Sequence, residues 1–362
     1  MDLEFTDDQL ELRRAAAAIL DRYSPLALAR GYLEGRPDRG DLWDRVSEFG
    51  WLGVGAEPDD GFGVPGLCLL AEQVGRHVAP FSHIDTVVAA RVALAAQSQW
   101  ADKLTSGLAA CALAMLEPDS SWLAGSATKA RRRGDGTIVL RGTKVGVHHA
   151  ASAEVIAVVC DYEGLRSLAF VRPGQPGLVI SALDGLDPSC APGRVDLENV
   201  QLKEDDLLAG PQAEAALATA LDLAAVASTA EALGAASEAL EMAIAYSHDR
   251  EQFGRPIGSF QSLQHLVAEH HVMRETAWST IWYAAEALEE ASGEATMACA
   301  VAKSHGAATA KAVTEAALQV LGGIGFTREH DFHLLYRRAL ECSYRFGSAE
   351  EYEQRVAAMV LA

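Results

Sequence analysis

The segment SHDREQFGRPIGSFQSLQ, residues 247–264, gathers side chains that could hold an anion. Arg250 is followed by Gln252 and Phe253, then by a Pro256/Gly258 turn, and a new helix is expected from Ser259 with Gln261 in its first turn. A guanidinium, two amides and an aromatic ring beside a helix N-terminus, where backbone N–H groups point outward, suit a pyrophosphate. A capped interhelix turn would use the same residues. The histidines offer less. His265, His270 and His271 spread around one helix, and His330 and His333 share one turn. Neither set has a Cys or Asp cluster at ligand spacing, so no metal is assigned. Six cysteines are scattered without a CxxC pair and read as buried, reduced, cytosolic thiols.

Composition narrows the partners. The chain has 362 residues, enough for two or three folded units, and 49% of them are apolar. Thirty basic against 50 acidic residues give a formal net charge of -20. Such a surface repels phosphate backbones and anionic membranes, which argues against a nucleic-acid or membrane partner. No uninterrupted apolar run reaches about 18 residues, so no membrane-spanning helix is expected. The start, MDLEFTDDQLELRR, is acidic and amphipathic, unlike a secretion signal, so a cytoplasmic location is expected.

The elements that must position these residues fall into three stretches. Residues 1–107 read as a helical domain. TDDQLELRRAAAAIL has Thr6 as N-cap and Leu10, Ala17 and Leu20 on one face, and a Gly/Pro/Asp loop separates two further helices. Residues 108–212 carry β-branched runs between turns (TIVLRG, EVIAVVC, SLAFV, GLVISAL, GRVDLENVQL) and read as an antiparallel β domain. From 213 to 362, long Ala-rich helical stretches on short loops read as a bundle, with Gly322 and Gly323 stopping the third helix. The fold class is mainly α with a central β domain.

The order RxQFGRPIGSFQxxQH resembles the signature of the acyl-CoA dehydrogenase family. FGWLGVGAEPDDGFGVPGLCLLAEQVGR, LAMLEP, LRGTKVGVHHAASAE, LENVQLKEDDLLA and QVLGGIGFTREH are similar to further segments of that family, over nearly the whole chain. The resemblance implies an N-terminal helical domain, a middle β domain and a C-terminal four-helix bundle. It implies FAD held between subunits, with the ring in one β domain and the pyrophosphate and adenine end on the neighbour's bundle. It also implies α,β-dehydrogenation of an acyl-CoA thioester, with a carboxylate removing the α-proton, a hydride passing to the flavin, and an electron-transfer flavoprotein-type acceptor.

Position by position, the resemblance divides. Arg250, Gln252, Phe253, Gln261, Gln319, Gly322 and Gly323 match the residues that grip a neighbour's FAD, and Ser348 and Glu350 match flavin-binding residues near the C-terminus. The residues for the chain's own flavin ring are eroded: Gly146 stands in the tryptophan slot and His148 in the Thr/Ser slot, and only Glu117, Pro118 and a nearby serine remain of the family's TEP…GSD. Neither base position holds an acid. Phe346 fills the C-terminal slot and Ala224 the one on the first bundle helix. Glu231, Asp222 and Glu350 are the nearby acids, and Glu231, two turns beyond Ala224 on the same face, is the candidate for a relocated base.

This pattern resembles the shorter, base-less subunit of heterotetrameric members known from actinobacterial steroid and lipid breakdown. The main expectation is a subunit that completes the FAD site of a base-bearing paralogous partner. The alternatives are a self-sufficient homo-oligomeric dehydrogenase using Glu231, and a non-catalytic acyl-CoA-binding or scaffold homologue.

Overall fold

The first helix starts where its cap predicts. In the computed structural model, Thr6 accepts from the Gln9 N–H at 3.2 Å, while the Gln9 side chain accepts from the Thr6 N–H at 2.9 Å. This reciprocal box opens α1 (Asp7–Tyr23). Its core face is Gln9, Ala16 and Leu20; Leu10 and Ala17 are only half-buried. The structure describes residues 5–38, 40–57 and 60–361. Residues 1–4 of the acidic start, and Pro58 and Asp59 of the Gly/Pro/Asp loop, lie outside them.

The helices α2 (Leu26–Leu33), α3 (Leu42–Glu48), α4 (Gly63–Arg76), α5 (His83–Ala95) and α6 (Ala101–Thr105) follow. Eight strands then form one sheet: β1 (Cys111–Ala114), β2 (Lys129–Arg132), β3 (Ile138–Val147), β4 (Val155–Tyr162), β5 (Leu165–Val171), β6 (Leu178–Ala182), β7 (Gly193–Leu202) and β8 (Leu207–Leu208). Their order is β6-β7-β3-β2-β4-β5-β8, with β1 also on β4. The expectation of a purely antiparallel sheet is corrected here, because β1 and β2 both pair parallel to β4. Parallel neighbours need a crossover rather than a hairpin, and neither CALA nor KARR carries the β-branched signal that marked the other strands.

The C-terminal part comprises α7 (Pro211–Asp249), a two-stranded hairpin of β9 (Glu251–Gln252) and β10 (Arg255–Pro256), α8 (Gln261–Glu289), α9 (Ala295–Leu321), α10 (Phe332–Tyr344) and α11 (Ala349–Leu361). By length and composition α7 is apolar enough to cross a membrane, but 83% of its most apolar window is buried inside the protein. Its middle, residues 220–237, is buried throughout, and it reads as a core helix whose two ends reach the surface.

The chain packs as two units. One comprises residues 1–38, 65–79 and 225–362; the other comprises 39–64 and 80–224. In the first, Ala235, Ala239 and Ala243 of α7 pack in one cluster with Val320, Phe332 and Leu335. Ala232, Ala236 and Leu240 pack in another with Ala310, Val313 and Cys342. Small side chains spaced four apart let neighbouring helices approach closely. The second unit is built on the sheet, whose inner face buries Leu140, Ile156, Val158, Val171, Val195 and Val200.

Candidate functional site

In the first unit the hairpin turns the chain from α7 into α8. Arg250 donates its N–H to the Tyr246 carbonyl at 2.9 Å, and its carbonyl accepts from Ile257 N at 2.8 Å. Between them Gln252 pairs with Arg255 across a two-residue turn. Phe253 (φ 55°) and Gly254 (φ 80°) both take positive φ, the geometry of a tight hairpin turn. This turn thrusts Phe253 outward, 92% exposed, with its ring edge-on to Phe260 at 6.1 Å. The Arg255 guanidinium lies 4.2 Å from the centre of the Phe260 ring. The sequence reading left Arg255 unassigned, although it sits inside the quoted motif.

Phe260 is the N-cap of α8 and has no side-chain oxygen to cap with. Gln261 is the first helical residue and is exposed, as are Arg250 and Gln252. The helix therefore presents uncapped N–H groups beside exposed amides and guanidinia. An apolar groove of about 500 Å³ runs past this end of the unit. Ile244 of α7, Leu263 and Val267 of α8 and Val320 of α9 line it, which brings the end of α9 to the same groove.

Gln319 is exposed on the last turn of α9, and Gly322 ends that helix at φ 63°. At Gly323 φ is not positive, and a Cβ would meet no atom of the chain within 4 Å. Neither strain nor internal packing demands glycine there, which fits a backbone left bare for a ligand from outside the chain. The exposed donors and the bare glycine fit the diphosphate and adenine end of FAD. Ser348 and Glu350 lie at the start of α11 instead. Ser348 caps that helix reciprocally with Glu351: Ser348 N donates to Glu351 Oε2 at 2.8 Å, and Glu351 N donates to Ser348 Oγ at 3.2 Å. Glu350 is exposed, and its own N–H and the Ser348 hydroxyl hold its carboxyl below the usual range.

The base positions are closed. Phe346 is 3% exposed at φ 62°, and the Arg345 guanidinium lies 4.7 Å from its ring centre. Ala224 is fully buried. Glu231 is also buried, and Arg338, 1% exposed, donates Nη1 to Glu231 Oε1 at 2.9 Å and to the Ala79 carbonyl at 3.1 Å. Removing that carboxylate from its partner would strand a guanidinium in the interior, at a cost of roughly 3–5 kcal/mol. Sequence reading missed Arg338, whose signal was the second arginine of YRRA, 107 residues from Glu231.

In the second unit the residues left from the ring-binding motifs hold one another. The Glu117 carboxylate accepts from Lys144 Nζ at 2.7 Å, Ala127 N at 2.7 Å, Thr128 N at 2.8 Å and Ser126 Oγ at 2.9 Å. Burial opposes its ionisation, but Lys144 and the backbone donors outweigh it and hold the carboxyl down to about 2. Gly146 turns at φ 60°. His148 is buried, and His149, at φ 54°, donates its N–H to the Cys190 carbonyl at 2.9 Å. All six cysteines are buried and none is in a disulfide, and among the described residues no His/Cys/Asp/Glu group is arranged to hold a metal.

Comparison with known proteins gives the following. The family model described as "Acyl-CoA dehydrogenase, C-terminal domain" matches residues 214–361. Acyl-CoA dehydrogenase FadE34 of Mycobacterium tuberculosis is 44% identical over 142 residues, 39% of this chain and 20% of that protein. The 3-sulfinopropanoyl-CoA desulfinase of Paraburkholderia xenovorans is 30% identical over 279 residues, 74% of this chain and 71% of that protein. A solved variant of the Tcur3481-Tcur3483 steroid ACAD superposes with a TM-score of 0.88 at 29% identity, covering 98% of each chain. The chain spans only a fifth of the length of FadE34, and 43% and 63% of the lengths of two further curated relatives.

Proposed function

The chain belongs to the acyl-CoA dehydrogenase family, and from that membership we propose that it is an FAD-dependent acyl-CoA dehydrogenase subunit that completes the FAD site of a base-bearing paralogous partner. One observation carries this reading. Of the residues matching the grip on a neighbour's FAD, Arg250, Gln252, Phe253, Gln261, Gln319 and Gly323 are exposed, whereas both base positions are buried and apolar.

FAD, when bound, supplies the two-electron oxidant for α,β-dehydrogenation of an acyl-CoA thioester. This chain's contribution is binding and orientation. The Arg250 guanidinium and the uncapped N-terminus of α8 offer charge and N–H donors to a diphosphate. Phe253 offers a flat apolar face, and Gln252, Gln261 and Gln319 offer amides that both donate and accept. Gly323 keeps side-chain bulk away from the ligand. The α-proton is removed by a carboxylate of the partner, since Phe346 and Ala224 cannot accept one. Glu231 is not a free base while Arg338 holds it, and this disfavours a self-sufficient homo-oligomer.

The likeness to the two-protein Tcur3481-Tcur3483 steroid ACAD supports a heteromeric assembly and a steroid-derived or related lipid acyl group. An electron-transfer flavoprotein-type acceptor and a cytoplasmic location complete the reading.

The test is the visible absorbance of FAD per chain, measured on the chain purified alone and after co-expression with a longer paralogue bearing a glutamate at either base position. Little flavin alone, and about one FAD per heteromeric pair together, is the expected result. One FAD per chain with unaided acyl-CoA oxidation would refute partner dependence. No dehydrogenation with any partner would leave a non-catalytic homologue.

A further inference from the structure

A buried imidazole in the second unit is used by none of the machinery above. His83 is the first residue of α5 and is 2% exposed. Neither of its ring nitrogens has a hydrogen-bond partner among the described residues. The Trp51 backbone is near enough to favour its charged form slightly, short of a well-formed hydrogen bond. Burial dominates and pushes the imidazole down to about 4, so at neutral pH it carries one N–H and one lone pair.

The helix end beside it is open too. The N-cap Ser82 makes no side-chain capping bond. The first backbone bond of the helix runs from Thr86 N to the Ser82 carbonyl at 3.2 Å, so the N–H groups of His83 and Ile84 precede the helical ladder. This first turn is buried throughout, from Ser82 at 7% to Asp85 and Thr86 at 0%. A buried helix end ordinarily finds partners for its donors. Thr86 cannot serve His83, because its hydroxyl donates to the Ser82 carbonyl at 2.8 Å and accepts from Cys111 N at 3.2 Å.

The surroundings select the chemistry. One aromatic ring flanks the imidazole: Phe81 lies 5.8 Å away, and Trp43 packs behind it at 6.5 Å from Phe81. A cationic group would meet the positive end of the helix. A second carboxylate would meet Asp85, whose charge, added to burial, already raises the Cys111 thiol. A neutral oxygen function suits the position. A hydroxyl can serve either ring nitrogen, accepting from the N–H or donating to the lone pair, and a ketone takes the ring N–H or a helix donor.

We propose that His83 and the open first turn of α5 recognise a neutral oxygen function, a hydroxyl or a ketone, on the acyl part of a thioester ligand. The inference rests on the acyl-CoA reading above and adds a polar specificity determinant to it.

The test compares decanoyl-CoA with 10-hydroxydecanoyl-CoA by calorimetric titration of the protein in its FAD-loaded assembly, in wild type, His83→Leu and His83→Gln. Wild type should bind the hydroxylated thioester about tenfold more tightly. His83→Leu should bring the two affinities within about twofold, and His83→Gln, which keeps a donor and an acceptor, should restore part of the preference. Melting of His83→Leu should occur at or above the wild-type temperature, because no internal hydrogen bond is lost. A clear fall in melting temperature would show that His83 serves the fold and would overturn the proposal. Equal wild-type affinities would also overturn it while sparing the acyl-CoA reading. Binding of neither thioester would overturn the acyl-CoA reading itself.

Discussion

Lys303 is fully buried on α9, and its Nζ donates to the Cys342 carbonyl at 3.0 Å and to Ser228 Oγ at 3.3 Å. Both partners are neutral. Burial first, with Arg345 adding repulsion, pushes the ammonium down from 10.5 to about 7, against the weaker pull of Cys342 and Glu351. Between about pH 7 and 10.5 the unfolded chain holds the lysine proton more often than the folded chain does, so stability rises with pH across that window. Below pH 7 the full penalty of burying the charge applies. Lys303→Met should therefore stabilise the protein near neutral pH, and its advantage should shrink by roughly 3–4 kcal/mol between pH 6.5 and 10. Urea denaturation of both proteins at pH 6.5, 8 and 9.5 measures this. A difference independent of pH would show that the lysine is fully charged or not truly buried. Individual residues of the site were partly legible in the sequence. Arg250, Gln252, Phe253 and Gln261 follow one another closely, so their order alone marks a candidate site. The Arg338–Glu231 and Lys144–Glu117 pairs join residues far apart in sequence, and no local pattern announces such contacts.

Among elements, α4 and α7 cross closely in the first unit. A Cβ added at Gly234 would stand 2.1 Å from the Glu72 carbonyl oxygen, and one at Gly75 would stand 1.9 Å from the Glu231 carbonyl oxygen. Both obstacles are backbone atoms that no rotamer change can move. Gly234→Ala should cost about 3 kcal/mol by forcing the helices apart, while Gly323→Ala should leave stability nearly unchanged because open space surrounds it. Thermal melting of the two variants checks this, and equal melting temperatures would contradict the close crossing. The crossing also carries Glu231, so its spacing holds the ion pair to Arg338 in place. Seven helices were readable from periodicity, turns and caps, and Thr6 and Gly322 mark ends that the structure also has, whereas α2, α5, α6 and α11 were not read. Five strands were readable from β-branched runs. β1 was not, because Cys-Ala-Leu-Ala is as good in a helix, and β2 was not, because Lys-Ala-Arg-Arg enters the sheet through its partners. Arg131 lies opposite Val139 of β3, and Lys129 opposite Asp161 of β4. Parallel pairing is set by such distant registers and not by local composition.

At the scale of the whole molecule, the residues matched by resemblance to a flavin site have different fates in one chain. The surface end, from Arg250 to Gln261, keeps its charge and donors exposed despite a net charge of -20. The matches to the ring and base positions are engaged internally, each within its own unit: Glu117 is occupied by four donors in the second, and Phe346 by the Arg345 guanidinium in the first. A chain whose own site had simply decayed would have no reason to keep the exposed end. Arg250→Gln tests that inference. The side chain is exposed, and among the described residues only the Arg250 backbone makes a hydrogen bond, so the variant should fold and melt like the wild type. In the co-expressed assembly it should lose a charge-assisted contact with a diphosphate, worth about 1.5–3 kcal/mol, and so hold FAD roughly 10- to 100-fold more weakly. Flavin fluorescence released on dilution measures the change. Raising the salt should narrow the gap between the two proteins, since an exposed charge is screened. Unchanged FAD retention with unchanged melting would place the diphosphate elsewhere and remove the exposed end from the flavin site.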